Sequence, residues 1–127
     1  MNGEKIILDT NIILYFLNGD KNVARFINEF DPIISFISEL ELLSAPEIFA
    51  EQRIVVQNFL DDVTIVKYED DHREDIIKTR SKKRLKLPDS IIASLAITLQ
   101  LPLVTADKAL KNISGLDLIF YDASFHE

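Results

Sequence analysis

The 127-residue chain contains no cysteine. Disulfides and thiolate metal sites are therefore excluded, as suits a reducing compartment. It has only three glycines and four prolines, a poor composition for a linker or a disordered segment. Its two histidines, His72 and His126, lie in a charged segment and in the tail, so neither is taken as a ligand. No apolar run approaches the roughly 20 residues needed to cross a bilayer. The N-terminus lacks a basic region followed by a long apolar one, and acidic residues stand at positions 4 and 9. No signal peptide is expected, and the expectation is a soluble, cytoplasmic protein.

Apolar residues make up 47% of the chain, enough for a proper core, and the length fits a single domain over 1–127. The formal net charge is −7, which works against nonspecific binding of polyanions. The charge is uneven, however. "KTRSKKRLK", Lys78 to Lys86, holds six of the fourteen basic residues. Alone, such a run is a solvated helix face. It is also where an otherwise acidic chain can hold a phosphate backbone. Lys82, Lys83, Arg84 and Lys86 are the candidates for such contacts.

Hydrophobic patterning alternates strands with helices. Lys5 to Leu8 reads as a short buried strand and Asn11 to Leu17 as a helix stopped near Gly19. Asn22 to Phe30 has helical spacing. Pro32 to Ser38 has the β-branched and aromatic content of a second strand, and "ELELLSA" follows as a short helix. Pro46 to Leu60 is expected to be a helix opened by its proline, with Ile48, Val55 and Phe59 on one face. Val63 to Tyr68 reads as a third strand and Asp70 to Lys83 as a charged helix. From Pro88 to about Leu99 the pattern is apolar nearly all round, predicting a deep helix. Leu103 to Thr105 gives a fourth strand, Ala106 to Lys111 a helical turn, and "LDLIFYD" a fifth strand. Contiguous apolar strands separated by helices mean a parallel sheet covered on both faces. Ligands of such sheets bind beyond the carboxyl ends of the strands, near a switch in strand order.

Four carboxylates fall where that rule points. Asp9 follows the first strand in "LDTN". Glu41 sits on the helix after the second strand, in "ISFISELEL". Asp89 is in the first turn of the deep helix, in "LPDS". Asp107 comes just past the fourth strand, in "TADKAL". Each has an ordinary reading on its own. Asp9 or Asn11 can cap the next helix, Asp89 suits a helix N-terminus, Asp107 can open a turn, and Glu41 competes with exposed Glu39. Together they are costly unless a cation neutralises them. An all-oxygen set without cysteine favours Mg²⁺ or Mn²⁺. Such an ion polarises phosphoryl oxygens and acidifies bound water. Asn11, Ser38 and Thr105 can orient waters or outer oxygens, and Thr10 with Asn11 turns the chain beside Asp9.

These blocks resemble a PIN domain, specifically the small ribonucleases typified by VapC toxins. The resemblance runs from "ILDTNIIL" to "LDLIFYD" and includes the "IS-x-I-S-x-x-E-L" pattern from Ile34 to Leu42, "LPDSIIASLA" and "LVTAD". It implies a three-layer α/β/α sandwich with a central parallel sheet of about five strands. It also implies Mg²⁺- or Mn²⁺-dependent hydrolysis of RNA by Asp9, Glu41, Asp89 and Asp107, leaving a 3′-hydroxyl and a 5′-phosphate. Asp9 and Asp89 would be the principal ligands, and Glu41 and Asp107 would complete the set directly or through water. The family pattern selects Glu41 over Glu39, and Asn11 and Thr105 match its supporting polar positions. The resemblance further implies a small antitoxin partner, whose tail occupies the cleft, and a homodimer. The chain departs from the family in lacking a glycine soon after the helical glutamate ("ELLSAPEIF") and in its acidity. Two other readings are carried: a non-catalytic PIN-like module that binds RNA or protein, and a haloacid-dehalogenase-like phosphatase. The latter wants a second aspartate where this chain has Asn11.

Overall fold

The computed structural model describes residues 3–44 and 50–123. In chain order the elements are β1 (Lys5–Leu8), α1 (Thr10–Leu17), α2 (Lys21–Ile27), β2 (Asp31–Ser35), α3 (Phe36–Ser44), α4 (Ala50–Asp62) and β3 (Thr64–Val66). A 3₁₀ turn (Asp70–His72) then leads to α5 (Arg73–Lys83), α6 (Leu87–Leu99) and β4 (Leu103–Thr105). A second 3₁₀ turn (Lys108–Leu110) precedes β5 (Leu118–Phe120).

The five strands form one sheet in the order β3-β2-β1-β4-β5, and every pairing is parallel. This is the expected α/β/α arrangement. β1 is central because it has no solvent-facing side: Ile6, Ile7 and Leu8 are wholly buried. Successive side chains alternate across the sheet. Ile6 and Leu8 join Ile12, Ile13, Val23, Ile34, Leu42 and Leu60 in one core, under α1 to α4. Ile7 joins Ile33, Ile92, Ala93, Ala96 and Leu103 in the other, under α6. Burying each large aliphatic side chain contributes about 1.5–3 kcal/mol, so the two faces of β1 anchor both layers. Strand order reverses between β1 and β4, the place where α/β sheets open a crevice.

Several boundaries differ from the patterning. β2 ends at Ser35, and Phe36 to Ser38 belong to α3. The Ser35 hydroxyl accepts a hydrogen bond from the Ile37 amide (3.1 Å). That local bond turns the chain out of the strand and into the helix. In α4 the inward residues are Val56 and Leu60, with Phe59 packed alongside, whereas Val55 is exposed. The adjacent apolar trio Ile54, Val55 and Val56 made the phase ambiguous, and α4 turned one residue further than expected. Ile48, the predicted start at Pro46 and His126 lie outside the described residues. The charged segment from Asp70 divides into a 3₁₀ turn and α5. The predicted turn at 106–111 contracts to Lys108–Leu110. In α6 burial fails at the end, where Leu99 is exposed. Among the described residues, no helix is long and apolar enough to cross a membrane.

Candidate carboxylate site at the ends of β1 and β4

β1 delivers Asp9 to the crevice, and the next strand over supplies its partner. The Asp9 amide donates to the Val104 carbonyl (2.9 Å), continuing the β1–β4 ladder. One carboxylate oxygen, Oδ1, accepts from the Thr10 amide (2.8 Å) and caps α1. The other, Oδ2, accepts from the hydroxyl of Thr105 (2.6 Å) and from the Asn11 side-chain amide (3.3 Å). The capping role and a site role therefore coexist in one side chain. Asp9 is 5% exposed, and burial raises its pKa against the opposing effect of the Thr105 and Thr10 bonds. Asp107 and Glu41 add to the rise.

Asn11 is held at both ends. Its carbonyl accepts from the Ala106 amide (3.2 Å) while its NH₂ donates to Asp9. An aspartate could not donate there, which explains the amide in "LDTN". It also leaves this site without the second aspartate of the dehalogenase-like alternative. Thr105 is likewise doubly used, since its hydroxyl accepts from the Asp107 amide (3.0 Å). Asp107 in turn caps the second 3₁₀ turn by accepting from Ala109 (2.9 Å).

Glu41, on α3, accepts from the Thr10 hydroxyl (2.5 Å), which also contacts the hydroxyl of buried Ser38 (2.8 Å). Asp89, half-buried in the first turn of α6, is pushed up to about 6 by burial first, then by Asp9 and Asp107. Lys86 opposes that rise and Glu41 adds a little to it. Asp9 and Asp89 thus each lie within electrostatic reach of the other three sequence-selected carboxylates. Lys86 is a cation that lowers the pKa of Asp89 against the burial and the three carboxylates that raise it. A donor set made only of oxygens, with the pKa values of Asp9 and Asp89 both raised by burial and by their carboxylate neighbours, fits Mg²⁺ or Mn²⁺. No three of these carboxylates have oxygens that all approach within 4.8 Å. Among the described residues that spacing is met by Glu69, Asp71 and His72 around the first 3₁₀ turn. There the His72 Nδ1 accepts from the Glu69 amide (3.2 Å) and helps shape the turn.

The basic run divides by role. Lys82 donates to the Ser114 carbonyl (2.9 Å) and Lys83 to the Lys111 carbonyl (2.5 Å), tying α5 to the loop before β5. Arg84 adopts a left-handed conformation (φ 53°) that ends α5, while Lys86 stands at the N-cap of α6 beside Asp89. Thr10 is the residue whose part was underestimated. Its partners Ser38 and Glu41 lie 28 and 31 positions away, a proximity that no local pattern displays. Lys111 also went unnoticed; its ammonium stands 4.0 Å from the centre of the Phe120 ring.

A parallel α/β/α domain that gathers acidic side chains where β1 and β4 part places the chain among α/β proteins with a carboxylate crevice at the strand-order switch. The PIN domain model matches residues 6–116, and the chain belongs to the PIN domain family. Similar solved structures include a chain of a toxin-antitoxin complex from Klebsiella pneumoniae (27% identity, TM-score 0.76, covering 90% of this chain and 95% of that one). VapBC2 from Rickettsia felis, bound to a DNA fragment from its promoter, matches at 23% identity and TM-score 0.81 over 93% and 99% of the two chains. DNA-bound VapBC from Salmonella typhimurium matches at 20% and 0.82 over 92% and 98%. At these last two identities the likeness is one of fold. No curated protein sequence matches the chain.

Proposed function

We propose that the protein is a cytoplasmic, Mg²⁺- or Mn²⁺-dependent endoribonuclease acting as the toxin of a type II toxin–antitoxin pair. The observation that carries this reading is Asp9. It is a buried carboxylate with a raised pKa at the strand-order switch, within reach of three other carboxylates. Membership of the PIN family and the likeness to a chain of a toxin-antitoxin complex support it.

Asp9 and Asp89 would hold the ion, with Glu41 and Asp107 contributing directly or through water. When bound, the ion supplies charge neutralisation at the scissile phosphate and a more acidic water. The chain's own residues do the rest. Thr105 and Asn11 fix one oxygen of Asp9 and leave the carboxylate no freedom to rotate away. The Thr10 amide holds the other oxygen. Lys86, at the mouth of the site, attracts the phosphate backbone, and Arg84 extends that positive edge. Lys82 and Lys83 serve RNA only as part of the overall positive field, because both ammonium groups are engaged with carbonyls. Hydrolysis leaves a 3′-hydroxyl and a 5′-phosphate. The partners are an antitoxin that covers the cleft and a second copy of the chain.

The test is cleavage of RNA by the wild type, Asp9→Asn and Asp89→Asn with Mn²⁺ or Mg²⁺. Loss of cleavage in both variants is expected, and equal activity in all three proteins would overturn the assignment.

A further inference from the structure

We propose that Thr10 is a positioning residue that holds Glu41 toward the carboxylate site through a directed hydroxyl chain, Ser38 to Thr10 to Glu41. This rests on the ribonuclease reading for its consequence in metal binding, but the geometry stands on its own. Glu41 is an exposed glutamate on a helix surface, and such a side chain is ordinarily free to sample many rotamers. Here one oxygen, Oε1, is fixed 2.5 Å from the Thr10 hydroxyl, across 31 residues of sequence. The same hydroxyl lies 2.8 Å from the hydroxyl of Ser38.

The direction of the chain follows from counting protons. An ionised carboxylate only accepts, and a threonine hydroxyl has one proton to give. Thr10 therefore donates to Glu41, and Ser38 donates to Thr10. Ser38 is wholly buried, so no exposed water competes for its proton. Ser38 and Glu41 stand three residues apart on α3, hence on the same helix face. Thr10 is β-branched and occupies the first position of α1, where χ1 is restricted. Ser38 and Thr10 are thus the rigid members of the chain, and Glu41 is the mobile one they restrain. Thr10 is also the residue after Asp9, whose Oδ1 takes the Thr10 amide. One residue thereby sets two carboxylates, Asp9 by its main chain and Glu41 by its side chain.

The experiment compares the full-length wild type with Thr10→Val, Thr10→Ser, Glu41→Gln and the Thr10→Val/Glu41→Gln double variant. Two readouts are taken: NMR order of the Glu41 side chain in the metal-free protein, and Mn²⁺ affinity by titration calorimetry. Valine keeps the branched shape but removes the hydroxyl. The expected result is a mobile Glu41 and about a tenfold weaker Mn²⁺ affinity in Thr10→Val, the scale of lost outer-sphere support. Thr10→Ser restores both. The double variant binds Mn²⁺ no more weakly than Glu41→Gln alone, because the two residues act as a unit. A Glu41 side chain as ordered in Thr10→Val as in the wild type overturns the proposal. So do additive losses of affinity in the double variant. Absence of Mn²⁺ binding by the wild type would instead defeat the ribonuclease reading, and the metal-free NMR comparison would still decide whether Thr10 positions Glu41.

Discussion

Replacing Asp89 by asparagine should make the metal-free protein more stable at neutral pH. Burial and the neighbouring Asp9 and Asp107 push its carboxyl from 3.8 up to about 6. At about 1.36 kcal/mol per pKa unit, that gap sets a ceiling of about 3 kcal/mol. Asp89 is half-buried, and solvent screening reduces the gain to about 1 kcal/mol. The sign follows from proton binding. Between pH 3.8 and about 6 the native state holds a proton on Asp89 that the unfolded chain has released, so stability falls as pH rises through that window. Above the window the cost is fully present, and below it both states are protonated and the substitution gains nothing. Urea unfolding with a chelator present should therefore show Asp89→Asn about 1 kcal/mol more stable than wild type at pH 7. At pH 4.5 about a third of that gain should remain. Saturating Mn²⁺ should reverse the order. An ion at 100 times its dissociation constant stabilises the native wild type by about 2.7 kcal/mol, and a variant lacking one ligand receives less. A destabilised Asp89→Asn at pH 7, or a gain that does not change between the two pH values, would refute the electrostatic account.

Thr105→Val, nearly isosteric, removes the 2.6 Å bond to Asp9 and the acceptor for the Asp107 amide; a loss of about 1.5–3 kcal/mol is expected in urea unfolding. Asp9→Asn keeps a good helix cap on α1. Its NH₂ cannot accept from Thr105 and Asn11 as Oδ2 does, so some stability is lost, but the circular dichroism spectrum should remain that of the folded wild type while RNA cleavage disappears. Lys86→Met should lower the salt dependence of RNA binding by about 0.7 in slope, the amount for one single-strand phosphate. Lys82→Met should leave that slope nearly unchanged and cost about 0.5–1 kcal/mol of stability, through the lost bond to Ser114. Gln100 ends α6 in the left-handed region (φ 56°), so Gln100→Gly should raise stability by about 0.5 kcal/mol in thermal melts.

β1 and β4 were legible because their signals are local. "KIIL" and "LVT" are contiguous apolar runs followed at once by polar residues, and both strands begin and end where that pattern says. The central place of β1 agrees with the burial of Ile6, Ile7 and Leu8 on both faces of the sheet. β2 was overrun by three residues because Phe36 and Ile37 carry strand-like side chains. Only the bond from the Ile37 amide to Ser35 reveals that the chain has already turned. The phase of α4 was misjudged for a comparable reason, since three adjacent apolar residues offer a helix more than one inner face. At the candidate site, Asp9 and Asp107 were visible from their places after strands. Asn11 was visible as a supporting residue but not its tie to Ala106, which depends on β4 lying beside β1. The division of the basic run into tethers and a site-facing Lys86 likewise depends on where the loop before β5 runs.

The support of Asp9 by Thr105 spans 96 positions of sequence. During synthesis the first half of the chain can order α1 and α2, but the strand that completes the crevice is still unmade. Until Leu103 to Thr105 emerges and pairs with β1, Asp9 has neither its hydroxyl donor nor the wall that buries it. So long a loop closes more slowly than the local contacts of α1 and α2 form. The candidate site is therefore unassembled for most of the time the chain is being synthesised. Whatever chemistry the four carboxylates support waits until β4 has crossed over to lie beside β1, with only β5 still to be added to the sheet's edge.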